Sequence, residues 1–345
     1  MNLPYEDNLP IGKLAACFNN TSATYKFYWF LAILGRVEQG DTTIGKQCLF
    51  AEMIAYSWFT VNYFHVSFGK QDKLQQAIEN IKTIEDITID ADRSSIFKKL
   101  STTSDKLTLK ELSYFNAEVP HRFLSPWFKA DDRSRAYQCS QAYNNDCPYA
   151  IYKNCIVINP SWIIYLQKNA GILKEFCYWN LSIYLQAKNP NVPDIPNKLI
   201  KSVPRKSLIE QRKFWDIVIS ELGSVDCIYT NTKLEIGSYA VEHFIPYAFV
   251  AHDLMWNLIP ADRSFNCSKS DKLPPLEKYF DPFFRLQQSA IEIIRYKAPK
   301  NKFLQDYLTI FPSFNTEHFN HRRFLEQFQP LVTIACNNGF LLLKP

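Results

Sequence analysis

The chain has 345 residues, 47% of them hydrophobic and 15% aromatic, enough for two or three well-filled domains. Only nine glycines argue against a glycine-rich phosphate-cradling fold, and a formal charge of +5 admits a nucleic-acid partner without requiring one. Nine cysteines with no C-x-x-C pair, among them the evenly spaced Cys139, Cys147 and Cys155, exclude a legible disulfide or zinc framework. The opening MNLPYEDNLPIGK is not a signal peptide, and the longest apolar run, Phe27 to Leu34, is too short to span a bilayer. A soluble cytoplasmic protein with no membrane contact is expected.

In chain order, helices are predicted over 21–39, with Thr21, Ser22 and Thr24 as candidate caps and Phe27, Phe30, Leu31 and Leu34 on one face. Two more follow over 43–65 (Leu49, Met53, Tyr56) and 72–83 (Leu74, Ile78, Ile81). A polar stretch at 101–105 breaks the pattern, and 117–128 and 149–159, rich in aromatic and β-branched residues, read as short strands. Helical periodicity returns from Ser161 to Leu185.

Pro190, Pro193, Pro196 and Pro204 then forbid a continuous helix and mark the clearest domain boundary. The same segment is basic: Lys198, Lys201, Arg205, Lys206, Arg212 and Lys213 face one acid, Glu210. Two readings stay open there, a solvated linker and helix surface or a strip that contacts phosphates. A helix over 205–222 follows. Residues 227–250 read as two short strands around a turn, DLMWNLIP as the start of another strand, RSFNCSKSDKLP as a helix start, and LEKYFDPFFRLQQSAIEIIRY as a helix.

The stretch from Val241 to Pro274 gathers Glu242, His243, Asn257, Asn266 and Lys269. Phosphodiester hydrolysis needs an activated water, charge stabilisation on the phosphate and help for the leaving oxygen. A histidine accepts the water's proton near neutral pH, and a carboxylate with an amide oxygen suits magnesium. Glu242, His243 and Asn266 supply that set.

This stretch resembles the HNH, or ββα-metal, nucleases, above all the HNH domain of RNA-guided CRISPR nucleases. Their pattern D-H-x-x-P-x-S-F, an Asn eleven residues after the Pro, then N-x-x-K-S-D-x-x-P, is met here by E-H-F-I-P-Y-A-F, Asn257 eleven residues after Pro246, and N-C-S-K-S-D-K-L-P. Together with the helical periodicity before the proline segment, the resemblance gives an α+β chain: a mainly helical N-terminal region (1–200), a C-terminal ββα-metal (HNH) nuclease domain (201–300) and a helical segment (301–345) packing on the rest. It places Glu242 at a metal-binding acid, usually Asp, His243 at the general base, Asn257 at the Asn that braces the loop aiming the His, and Asn266 at a second metal ligand. Lys269, one helical turn after Asn266, then reaches a phosphate. Lys201, Arg205, Lys206 and Lys213 are candidate backbone contacts.

The implied cofactor is Mg2+ or Mn2+, the implied substrate DNA, and the implied activity endonucleolytic. Many members wrap the motif in a zinc ribbon. Here Cys227 survives, but Thr230 and Phe265 stand at partner positions and Cys267 falls on the wrong side of Asn266, so no structural zinc is expected. Phe265, Leu258 and Ile228 are expected to brace the hairpin instead. TYKFYWFLAIL, Thr24 to Leu34, resembles the start of bacterial proteins with C-terminal HNH domains, some of them in restriction or phage defence. An inactive HNH-fold DNA-binding module and an RNA-cleaving effector are the rival readings, and a homodimer or an operon-encoded protein partner fits either. His65, His121, His318 and His321 read as structural or surface residues, Trp256 as core, and Asp253 as a turn cap.

Overall fold

The structure is a computed structural model that describes residues 3–129, 132–200, 207–315 and 317–344. The chain divides into two units, Met1–Pro190 with Ile195–Lys201 and Asn191–Asp194 with Ser202–Pro345.

In the first unit, helix α1 (Tyr25–Glu38) buries every residue from Phe27 to Leu34, and Val37 as well. A helix apolar all round is a core helix, so the single face expected of it is too narrow a description. Thr24 does stand at its N-cap, but the hydroxyl makes no cap bond. The Thr24 amide instead donates to Asp72 Oδ2 at 2.6 Å, while Asp72 Oδ1 accepts from the Leu74 amide and caps the helix Lys73–Ile84. One buried carboxylate thus satisfies orphan donors at two helix starts.

The helix expected over 43–65 begins three residues late. Thr43–Gly45 forms strand β1, whose β-branched Thr43 and Ile44 pair with Val157 and Ile156, and helix α2 (Lys46–Asn62) follows. Strands β2 (Tyr149–Ile151) and β3 (Cys155–Ile158) complete an antiparallel sheet of order β1-β3-β2. The strand expected over 117–128 is helical instead: Pro120 opens a one-turn helix to Phe123, as proline favours at the first helical position. Phe115 and Phe123 are fully buried, so the aromatic richness that suggested a strand reports burial rather than extended backbone. The long helix after 160 is two, Pro160–Lys168 and α3 (Ala170–Lys188), parted at Asn169, whose amide donates back to the Tyr165 carbonyl.

In the second unit, helix α4 (Ile209–Leu222) ends at Gly223, whose φ of 76° is open to glycine without strain. Strands β4 (Val225–Asp226) and β5 (Lys233–Leu234) form a minimal hairpin whose turn is closed by Cys227 N donating to Thr232 O at 2.8 Å. Strand β6 (Ala240–His243) pairs antiparallel with β7 (Leu258–Ala261), setting Glu242 opposite Ile259 and His243 opposite Leu258. Between them the chain makes a one-turn helix, Tyr247–Val250, where strand was expected.

Asp262 then caps helix α5 (Arg263–Lys269) by accepting from the Phe265 amide at 2.9 Å. The β6–β7–α5 unit rests on helix α6 (Leu276–Lys297) and helix α7 (His321–Asn337) through phenylalanines: Phe244 stacks on Phe283, ring centroids 4.0 Å apart, and meets Phe328 edge-on at 5.8 Å. Residues 301–344 belong to this second unit. The fold is therefore α+β, mainly helical before a C-terminal strand–strand–helix motif. Among the described residues no helix is long and apolar enough to cross a membrane.

Candidate active site

Glu242 and His243 are the last two residues of β6. Both are buried, 4% and 7% exposed. Glu242 faces α5: its Oε1 lies 2.5 Å from the Lys269 ammonium, and its Oε2 accepts from the Tyr229 hydroxyl at 3.3 Å. Lys269 is fully buried and also donates to the His243 carbonyl at 2.9 Å. Expected to reach a phosphate, Lys269 is instead the internal counter-ion of Glu242, because the helix face it occupies packs on β6 rather than facing solvent.

His243 holds its Nε2 2.9 Å from Asp253 Oδ1, and its ring sits edge-on to Tyr247. Asn257, fully buried, closes a two-point clamp on Ile245: Oδ1 accepts from the Ile245 amide and Nδ2 donates to the Ile245 carbonyl, each at 2.8 Å. The clamp fixes the loop that leaves His243. The loop's far side is pinned by α6, where the buried Gln287 donates to Leu258 O at 2.8 Å and Met255 O at 3.3 Å. Asp306 accepts from the Met255 amide at 2.9 Å, and Trp256, 3% exposed, packs in the core. Burial, with His243 second, holds the His252 imidazole down to about 4, so it stays neutral at physiological pH.

Asn266 stands one helical turn before Lys269, on the helix face turned to β6, and its side chain makes no hydrogen bond among the described residues. No three His, Cys, Asp or Glu side chains among the described residues cluster as a metal site. A divalent ion would rest on one carboxylate, Glu242, and one amide oxygen, Asn266, with water and phosphate completing its shell. That donor set fits magnesium, which keeps several waters.

Among the described residues Cys227 is a free, buried cysteine. Its sulfur accepts from the Asp262 amide at 3.4 Å, and Cys267 is exposed. Tyr229 stacks on Phe265 with centroids 4.5 Å apart and meets Tyr279 edge-on. Phe265 thus packs where expected of it, but against Tyr229. Elemental analysis of the purified chain should find well under one zinc per molecule; stoichiometric zinc lost on Cys227→Ser would contradict an aromatic brace.

The basic strip is less available than its sequence suggests. Lys198 is fully buried, Arg212 donates to the Tyr239 carbonyl at 2.8 Å, and Lys213 pairs with Glu210 at 2.6 Å. Lys201, Arg205 and Lys206 lie outside the described residues.

Two paired strands and a helix, with Glu-His ending the first strand and Asn266 on the helix, form a strand–strand–helix arrangement. Residues 227–275 match the family described as HNH endonuclease. That domain implies a phosphodiester hydrolase acting on nucleic acid with a divalent metal. The match singles out neither CRISPR nor restriction-type proteins. Searches of curated proteins and of solved structures each found no match.

Proposed function

We propose that the chain is a Mg2+- or Mn2+-dependent DNA endonuclease in which His243 is the general base and Glu242 and Asn266 hold the metal. The observation that carries this is His243 at the end of β6, with its loop clamped by Asn257 and with Glu242 and Asn266 on the strand and helix beside it. His243 takes a proton from water as the water oxygen bonds phosphorus and the P–O3′ bond breaks. The leaving oxygen acquires its proton from solvent, and the products carry 5′-phosphate and 3′-hydroxyl ends. A bound metal supplies charge stabilisation for the phosphate and the leaving oxygen. Asn257 holds the loop so that the imidazole is aimed before substrate arrives.

One observation favours a second reading. Both Glu242 oxygens are engaged, by Lys269 and Tyr229, as suits an inactive HNH-fold binding module. Supercoiled plasmid, linear DNA and RNA incubated with magnesium, manganese or chelator separate the readings: cleavage of DNA supports the first, cleavage of RNA alone an RNA effector, binding without cleavage the second.

Residues 1–200 are proposed to choose the substrate, with Lys201, Arg205, Lys206 and Lys213 gripping its backbone, since an HNH motif supplies chemistry and little sequence discrimination. Replacing those four by Ala should flatten the log–log salt dependence of duplex binding by up to about 3 to 4 units. An unchanged slope would move substrate choice to a protein partner. Lys213, already paired with Glu210, should contribute least.

A further inference from the structure

The chain leaving the one-turn helix Tyr247–Val250 reverses at Ala251, whose φ of 59° and ψ of 24° are left-handed. An alanine adopts that conformation only at a cost, and it persists where its surroundings impose it. The reversal brings Asp253, ten residues after His243, back onto the ring at 2.9 Å. The pair is substantially enclosed: side-chain exposure is 8% for His243 and 24% for Asp253. A charge-assisted bond in such a place is stronger and better oriented than one on an open surface.

The side of the ring that Asp253 holds decides what the other nitrogen can do. A carboxylate only accepts, so Nε2 must carry the hydrogen. Nδ1, which makes no hydrogen bond among the described residues, is then the basic nitrogen. The two clamps are complementary: Asn257 fixes the backbone after His243, and Asp253 fixes the ring itself.

We propose that Asp253 is the positioning residue of the general base: it locks His243 in the Nε2–H tautomer, aims Nδ1 at the attacking water, and shares the positive charge that appears on the ring. This rests on the nuclease reading. The water gives one proton to Nδ1 as its oxygen bonds phosphorus and the P–O3′ bond breaks, the Nε2 hydrogen stays on the ring, and Asp253 remains a carboxylate throughout.

Asp253→Asn and Asp253→Ala in the full chain test it together. Asn keeps size and polarity but can offer Nε2 an N–H, which forces the hydrogen to Nδ1 and removes the base. A merely structural Asp would tolerate Asn better than Ala; a tautomer-setting Asp predicts the reverse. At saturating DNA, Asp253→Asn should lower kcat by about 10²- to 10⁴-fold with KM little changed, and Asp253→Ala by less, as wrong-tautomer substitutions do in other His–Asp enzymes. Long-range 1H–15N correlation of the imidazoles, made in chelator and assigned with His243→Ala, should show Nε2–H in the wild type and its loss in Asp253→Asn. Wild-type His243 protonated on Nδ1 alone, or an Asn variant as active as wild type, overturns the proposal. If the wild type cleaves no nucleic acid, the nuclease reading fails; the tautomer spectra then still decide whether Asp253 sets the ring.

Discussion

His243→Ala should lose nearly all cleavage while keeping its fold and its affinity for DNA. Positioned acid–base catalysis is worth roughly 10² to 10⁴ in rate, and no other imidazole is placed to replace it. The neighbouring His252 is turned toward Trp256, with ring centroids 5.1 Å apart, and its Nδ1 lies 3.4 Å from the Leu254 amide. The substitution removes a ring whose side-chain hydrogen bond among the described residues is to Asp253, so it opens a small gap without unpicking the Asn257 clamp, which runs to Ile245. Single-turnover cleavage beside chelator-stabilised DNA binding checks both halves. Cleavage at wild-type rate by this variant would remove His243 from the chemistry.

Lys269→Ala should be the most destabilising single change at the site. It strips the counter-ion from a carboxylate that is 4% exposed, and it leaves the His243 carbonyl without its donor. Breaking a buried ion pair from one side typically costs about 3–5 kcal/mol, because the remaining charge stays buried and unpaired. The loss should be largest in chelator. If Glu242 and Asn266 bind magnesium, the ion replaces the missing positive charge, and a ligand at a hundredfold excess over its Kd restores about 2.7 kcal/mol. Denaturant unfolding with and without magnesium measures this directly. A loss that magnesium does not reduce would argue that the ion binds elsewhere. Wild-type stability in chelator would show the ion pair to be of no consequence.

Much of the site could be read in the sequence because strand, turn, strand and helix follow one another within about thirty residues. The spacings of Glu242, His243, Asn257 and Asn266 are therefore local geometry written along the chain. What escaped is what depends on packing between elements. Asp253 follows His252 in a polar turn and reads as a cap; only the left-handed reversal at Ala251 carries it to His243. Lys269 shares a face with Asn266, as its spacing shows, but that this face is buried depends on how α5 lies against β6. Gln287 carries a signal of its own: a polar residue at an apolar position of a strongly periodic helix, buried because it holds the carbonyls of Met255 and Leu258 at the start of β7.

The same distinction holds elsewhere. The core helix α1 was legible from composition, and the break expected over 101–105 falls at 103–105, since the helix before it runs to Thr102; aromatic density at 117–128 misled because a buried helical turn needs the same residues as a strand.

The central claim is that Glu242, His243 and Asn266 make a metal-dependent phosphodiesterase site, and end-group analysis of cleaved DNA tests it most directly. Purified chain incubated with a labelled duplex should give 5′-phosphate and 3′-hydroxyl products in magnesium or manganese, and none in chelator or with Glu242→Gln. Intact DNA under every metal condition, or cleavage that persists in chelator, would contradict it.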